Sequence, residues 1–182
     1  MRDELLSQAT RIVIKIGSSL IASRDTGLRP EQIDRLANEI AALRSSGREV
    51  LIVSSGAIIS GIKKLGLKEY PKSLPAKQAA AAVGQSRLMW AYEKSFERLD
   101  VKVAQILLTH NDLADRRRFL NARHTLSALI GFGVIPIINE NDTVAVDEIR
   151  VGDNDTLAAE VAHLVDADLL VILSDIDGLF TE

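Results

Sequence analysis

Carboxylates and amides crowd one stretch of this chain. Between an apolar run (Val134, Ile135, Ile137, Ile138) and a helix start at Asn154-Asp155 lie Asn139, Glu140, Asn141, Asp142, Asp147, Glu148, Asp153 and Asn154. Polar side chains at the carboxyl end of a buried strand stand where open α/β sheets bind ligands. A loop this long inside a compact domain is functional or disordered. The chemistry suggested is capture of a small polar molecule that carries an ammonium group. A solvated acidic loop ending in an Asx helix cap fits the same composition, so both readings stay open here. A second chemical residue is Lys15, inside the strand Ile12–Ile16 and just before Gly17-Ser18-Ser19. A lysine in such a strand is seldom buried without a partner. It either works there or snorkels out at the strand end. A third candidate is the turn Ser54-Ser55-Gly56-Ala57, which joins strand Val50–Val53 to a short helix reaching about Leu65. Strand, small polar residues, glycine and helix make an anion seat, because free N–H groups and the positive helix end face the ligand.

Regular elements must carry these residues. Pro30 suits a first helical turn, and Ile33, Leu36, Ala37, Ile40 and Leu43 recur at helical spacing up to Gly47. Pro71 and Pro75 punctuate a loop, and a long helix over Ala76–Leu99 follows. Its Ala79–Ala82 run and Gly84 permit close helix packing, and Trp90 reads as a packing residue. Val103–Leu108 is a strand. Asn111–Ile130 is helical with a break near Phe119–Asn121. Asp168–Leu173 is the fifth strand, ending in Ser174-Asp175. Strands and helices alternate, so the fold class is α/β, a mainly parallel open sheet with helices on both faces. The polar strand ends gather along one sheet edge.

Other classes are excluded. The 182 residues suffice for one domain with a core, and 47% hydrophobic and 26% charged content is ordinary for a globular protein. A net charge of −3 gives no electrostatic case for nucleic acid. Arg116-Arg117-Arg118 points in three directions on a helix and reads as a solvated or interface face. No cysteine is present, which suits the cytoplasm. Three scattered histidines without tight spacing give no transition-metal site. Gly61–Gly66 has the spacing of a phosphate-binding P-loop, but Leu67 stands where lysine is required.

Taken together, VIKIGSS (Val13–Ser19), IVSSGAI (Ile52–Ile58), KQAAAAVGQSRLM (Lys77–Met89), RRFLNARHTL (Arg117–Leu126), INENDTVA (Ile138–Ala145) and VGDND (Val151–Asp155) resemble the glutamate 5-kinases of the amino-acid kinase superfamily. The resemblance implies ATP-dependent phosphorylation of the γ-carboxylate of L-glutamate, with Mg²⁺ carried on the ATP phosphates and no dedicated protein metal ligand. It implies that Lys15 stabilises the transferring phosphoryl group and Asp155 orients the catalytic lysines. Gly17 and Ser18 line the phosphate path. Ser55, Gly56, Asp142 and Asn154 hold glutamate, with Asp142 facing its α-ammonium. Ser174 and Asp175 touch the nucleotide. Proline as feedback inhibitor, a homo-oligomer (often a tetramer), and a γ-glutamyl phosphate reductase as partner are also implied. The resemblance makes residues 1–182 a single incomplete kinase domain, without the later adenine pocket, a second catalytic lysine or a PUA domain. The alternatives are a glutamate- or proline-binding module without catalysis, or another amino-acid kinase such as an aspartokinase.

Overall fold

The computed structural model describes residues 6–145 and 153–175. Asp147 and Glu148 of the acidic loop lie outside them. In chain order the elements are β1 (Arg11–Ile16), α1 (Ser18–Ile21), β2 (Ala22–Ser23), β3 (Gly27–Leu28), α2 (Pro30–Ser45), β4 (Glu49–Ser54), α3 (Ala57–Leu65) and α4 (Leu74–Glu97). Then follow β5 (Val103–Leu108), α5 (His110–Ala114), α6 (Arg116–Gly131), β6 (Ile135–Glu140), α7 (Asp153–Leu164) and β7 (Leu169–Leu173).

Five strands form one parallel sheet in the order β5-β6-β4-β1-β7. Its central strands are apolar on both faces, as crossover helices on each side demand. Ile12, Ile14, Ile16, Val50, Ile52, Ile135 and Ile137 pack with α2 and α4 through Ile33, Ile40, Leu88, Tyr92 and Phe96. The alternate residues Val13, Leu51, Val53 and Ile138 pack with Leu126 of α6 and Leu157, Val161 and Leu164 of α7. Strand periodicity puts Lys15 on the face of Val13, under α7.

Three local expectations are corrected, and one small element is added. The helical stretch after β5 breaks at Asp115, not near Phe119–Asn121. Asp115 leaves helical geometry, and its carboxylate accepts a hydrogen bond from Arg118 N at 2.9 Å, which starts α6. Helix α4 begins at Leu74, so Pro75 lies in its first turn, where a missing N–H costs nothing. Trp90 is not a packing residue: it is 62% exposed, with Lys94 Nζ 4.9 Å from its ring centroid. A small antiparallel hairpin, β2–β3, also went unread. Its two-residue strands are too short for any periodicity.

Helix α5 carries a reciprocal cap. Thr109 Oγ1 and N donate to Asp112 Oδ2 at 2.6 and 2.8 Å, and Asp112 N donates back to Thr109 Oγ1 at 3.2 Å. These bonds from Thr109, with Arg118 nearby, hold the Asp112 carboxyl below its ordinary range. A depressed carboxylate stabilises the fold above its unfolded pKa of about 4 and loses that contribution as pH falls through the lower folded value. Asp112→Ala is therefore expected to cost about 1 kcal/mol at neutral pH. In urea titrations the gap between variant and parent should close in acid; a gap unchanged at low pH would assign the cost to packing.

Candidate active site

The carboxyl ends of β6, β4, β1 and β7 open into one cleft of about 630 Å³. Every nominated residue lines it: Lys15, Gly17, Ser18, Ser55, Gly56, Asp142, Asn154, Asp155, Ser174 and Asp175. The strand order fixes their arrangement. Asn139 near the end of β6, Asp142 just beyond it, and Ser55 and Gly56 after β4 lie on one side. Gly17, Ser18, Ser174 and Asp175 follow β1 and β7 on the other. Lys15, paired in register with Val53 of β4 and Ile172 of β7, stands between the two halves.

Lys15 is 7% exposed and belongs to the buried polar residues. Its Nζ lies 2.5 Å from Asp155 Oδ1, in the first turn of α7, and Asp155 itself is half exposed. Burial pushes the Lys15 pKa below that of an ordinary lysine, and the Asp175 carboxylate opposes the shift. The ammonium is thus aimed into the cleft by a partner that still reaches water.

The β4–α3 turn supplies backbone donors. Gly56 adopts φ +107°, a left-handed conformation that only glycine takes without strain. No side chain caps the N-terminus of α3, so its first N–H groups at Ala57, Ile58 and Ile59 face the cleft they line. Ser55 Oγ accepts from Asn154 Nδ2 at 2.8 Å, which ties the turn to α7. Asn154 Nδ2 also donates to Asn139 Oδ1 at 3.1 Å.

Four residues at or beside the cleft were not singled out from the sequence: Arg24, Tyr70, Lys77 and Gln85. Arg24 comes from the β2–β3 hairpin, and its guanidinium lies 5.5 Å from the centre of the Tyr70 ring. Burial and the neighbouring Asp142 carboxylate push the Tyr70 hydroxyl pKa up, while Arg24 pulls it down. Asn139, which the sequence did single out, is the last residue but one of β6, and its Nδ2 donates to Gln85 Oε1 of α4 at 2.8 Å. Gln85 had a legible signal. It shares the helix face of Ala81, Leu88 and Tyr92, where a polar residue needs a buried partner.

The cleft therefore mixes the cations Lys15, Arg24 and Lys77 with the carboxylates Glu140, Asp142, Asp155 and Asp175. Among the described residues, no group of three or more His, Cys, Asp or Glu side chains converges on a metal ion. His110 instead pairs with Glu160 at 2.7 Å, and His163 lies against Phe119. The described residues contain no helix long and apolar enough to cross a membrane.

Comparison with known proteins matches this architecture. The chain is 61% identical over 180 residues to glutamate 5-kinase of Geobacter metallireducens, covering 99% of this chain and 48% of that protein. It is 59% identical over 179 residues to glutamate 5-kinase of Carboxydothermus hydrogenoformans, covering 98% of this chain and 48% of the relative. The chain thus spans about half the length of the curated relatives it matches. Giardia carbamate kinase superposes with a TM-score of 0.63 at 14% identity, over 92% of this chain and 74% of that structure, so the fold is shared. Residues 10–182 match the amino acid kinase family, and with the five-stranded parallel sheet and its polar carboxyl edge the chain belongs to that family.

Proposed function

We propose that the protein phosphorylates the γ-carboxylate of L-glutamate with ATP, giving γ-glutamyl phosphate and ADP. The observation that carries this reading is the division of the cleft by a buried, ion-paired Lys15. A carboxylate oxygen of glutamate attacks the γ-phosphorus, a P–O bond forms, and the bond to the β,γ-bridging oxygen breaks toward ADP. The attacking carboxylate is already ionised at neutral pH, so no base has to remove a proton. The difficulty is electrostatic, because two anions must meet. Lys15 meets the charge that spreads over the transferring phosphoryl oxygens. Asp155 holds the Lys15 side chain in line. Gly17, Ser18, Ser174 and Asp175 flank the nucleotide, and the turn at Ser55-Gly56 with the first N–H groups of α3 receives a carboxylate of glutamate. Asp142 faces the α-ammonium.

The oxygen-only donors of the cleft suit a hard cation, and no resident metal cluster is built from the described residues. Mg²⁺ would arrive with the nucleotide, beside Asp155 and Asp175, and would neutralise phosphate charge. The same reading extends to partners. A labile acyl phosphate calls for a reductase that consumes it, and proline and a homo-oligomer belong to the same inference.

Calorimetric titration tests the reading. L-Glutamate should bind, N-acetylglutamate and L-aspartate should bind much more weakly, and Asp142→Ala should cost roughly 1.5–3 kcal/mol of glutamate affinity. A folded chain that ignores L-glutamate would overturn the assignment, and unchanged affinity in Asp142→Ala would remove Asp142 from the ammonium site. Trapping the product with hydroxylamine, dependent on both ATP and glutamate, checks the transfer itself.

A further inference from the structure

Two buried hydroxyls stand behind the β4–α3 turn. Ser54, the last residue of β4, is 0% exposed, and Tyr92 of α4 is 1% exposed. Tyr92 OH lies 2.9 Å from Ser54 Oγ, and Ser54 Oγ lies 3.1 Å from the Ser55 carbonyl oxygen. A carbonyl only accepts, so Ser54 gives its one proton to Ser55 O. Tyr92 must then donate to Ser54 Oγ, which is its only hydrogen-bond partner among the described residues. Burial pushes the Tyr92 pKa upward, so the phenol keeps that proton. The hydrogen bonds therefore run from Tyr92 to Ser54 to Ser55. Asn154 holds the groups on either side, the Ser54 carbonyl at 3.4 Å and Ser55 Oγ at 2.8 Å, but not the Ser55 carbonyl.

This relay fixes one peptide plane. In a trans peptide the C=O and the following N–H point in opposite directions. With Ser55 O drawn to the buried Ser54 hydroxyl, Gly56 N–H points away from it. Gly56 lines the cleft, and its N–H has no partner among the described residues. Local sterics do not choose this orientation, because glycine takes φ of either sign. We infer that Ser54 is a positioning residue: its hydroxyl, oriented by Tyr92, holds the Ser55–Gly56 peptide with the N–H toward the cleft. Resting on the functional reading above, that N–H meets the carboxylate seated on the turn. Without the hold the peptide has two orientations, and affinity falls with the fraction in the competent one.

The test is calorimetry with L-glutamate on the whole chain, beside urea unfolding. Ser54→Ala alone would strand the buried Tyr92 hydroxyl, so it is combined with Tyr92→Phe. Removing both partners of a buried hydrogen bond leaves stability nearly unchanged. The double variant is expected to bind L-glutamate about tenfold more weakly at an unchanged urea midpoint. Ser54→Thr, which keeps a hydroxyl on a residue suited to a strand, should bind like the parent. Parent-like affinity in the double variant, a loss that comes with a lowered midpoint, or a Ser54→Thr variant as weak as the double one overturns the inference. A parent that binds no L-glutamate overturns the functional reading and this inference with it, whereas a binding parent beside an unaffected double variant overturns this inference alone. Should the double variant not fold, amide hydrogen exchange of the parent decides. L-Glutamate should slow exchange of the Gly56 amide; bound glutamate that leaves this amide unprotected overturns the inference.

Discussion

Lys15→Ala is expected to lower turnover of acyl phosphate formation by about two to three orders of magnitude and to change the glutamate KM far less. On the proposed function the Lys15 ammonium stands between the glutamate side and the nucleotide side of the cleft, and charge builds there only as the phosphoryl group moves. Its effect should therefore fall on kcat. A pure KM effect would place Lys15 in ground-state binding instead. The pH profile offers a second readout. Burial lowers the Lys15 pKa, so the ammonium is lost at a lower pH than 10.5, the ordinary lysine value, and the alkaline limb of kcat should fall accordingly. Stability runs the other way. Between the lowered folded pKa and 10.5 the unfolded chain binds more protons, so unfolding free energy rises with pH across that window. Lys15→Met should consequently fold at least as well as the parent, since Asp155 is half exposed and water can solvate it. Unchanged or raised urea midpoints with abolished turnover would mark Lys15 as a residue retained for chemistry at some cost in stability. A large drop in midpoint would instead make the ion pair structural.

Much of this site was legible because strand ends are readable. Apolar runs of β-branched residues end abruptly at Gly17, Ser54-Ser55, Asn139 and Ser174, and a parallel sheet brings such ends to one edge. What periodicity could not supply was the partner of each polar residue. Gln85 stood out on a buried helix face, but only the packing of β6 against α4 supplies Asn139 as its partner. Arg24 and Tyr70 depend on a hairpin and a loop whose positions follow from tertiary packing, for which no local pattern exists. The break at Asp115 was missed for a related reason. Three arginines at the start of α6 oppose the helix dipole, and the compensating carboxylates, Asp115 as cap and Asp112 at 3.0 Å from Arg118 Nη1, become visible only in three dimensions.

Gly84→Ala is expected to destabilise the fold by about 3 kcal/mol, and Gly84→Leu to prevent folding. Helices α3 and α4 pack backbone against backbone at Gly61 and Gly84. A β-carbon at Gly84 would overlap the Ala57 carbonyl oxygen and lie 2.5 Å from Gly61 N, while one at Gly61 would overlap the Ala80 carbonyl. Both obstacles are backbone, so no rotamer change can relieve them, and the two helices would have to move apart. The displaced end of α3 is its first residue, Ala57, directly after Ser55-Gly56, so the cleft-lining turn proposed as the carboxylate seat moves with it. Glutamate affinity should fall in whatever fraction of Gly84→Ala still folds, although Gly84 does not line the cleft. Gly131→Ala is the control. A β-carbon at Gly131 meets nothing within 4 Å, and Gly131 is the last residue of α6, so the same substitution there should be neutral or stabilising by up to about 1 kcal/mol. Urea unfolding and glutamate titration of the two variants, side by side, separate the loss of a helix contact from the general effect of adding a methyl group. Equal midpoints for both would show that α3 and α4 can separate freely, and that the carboxylate seat does not depend on their contact.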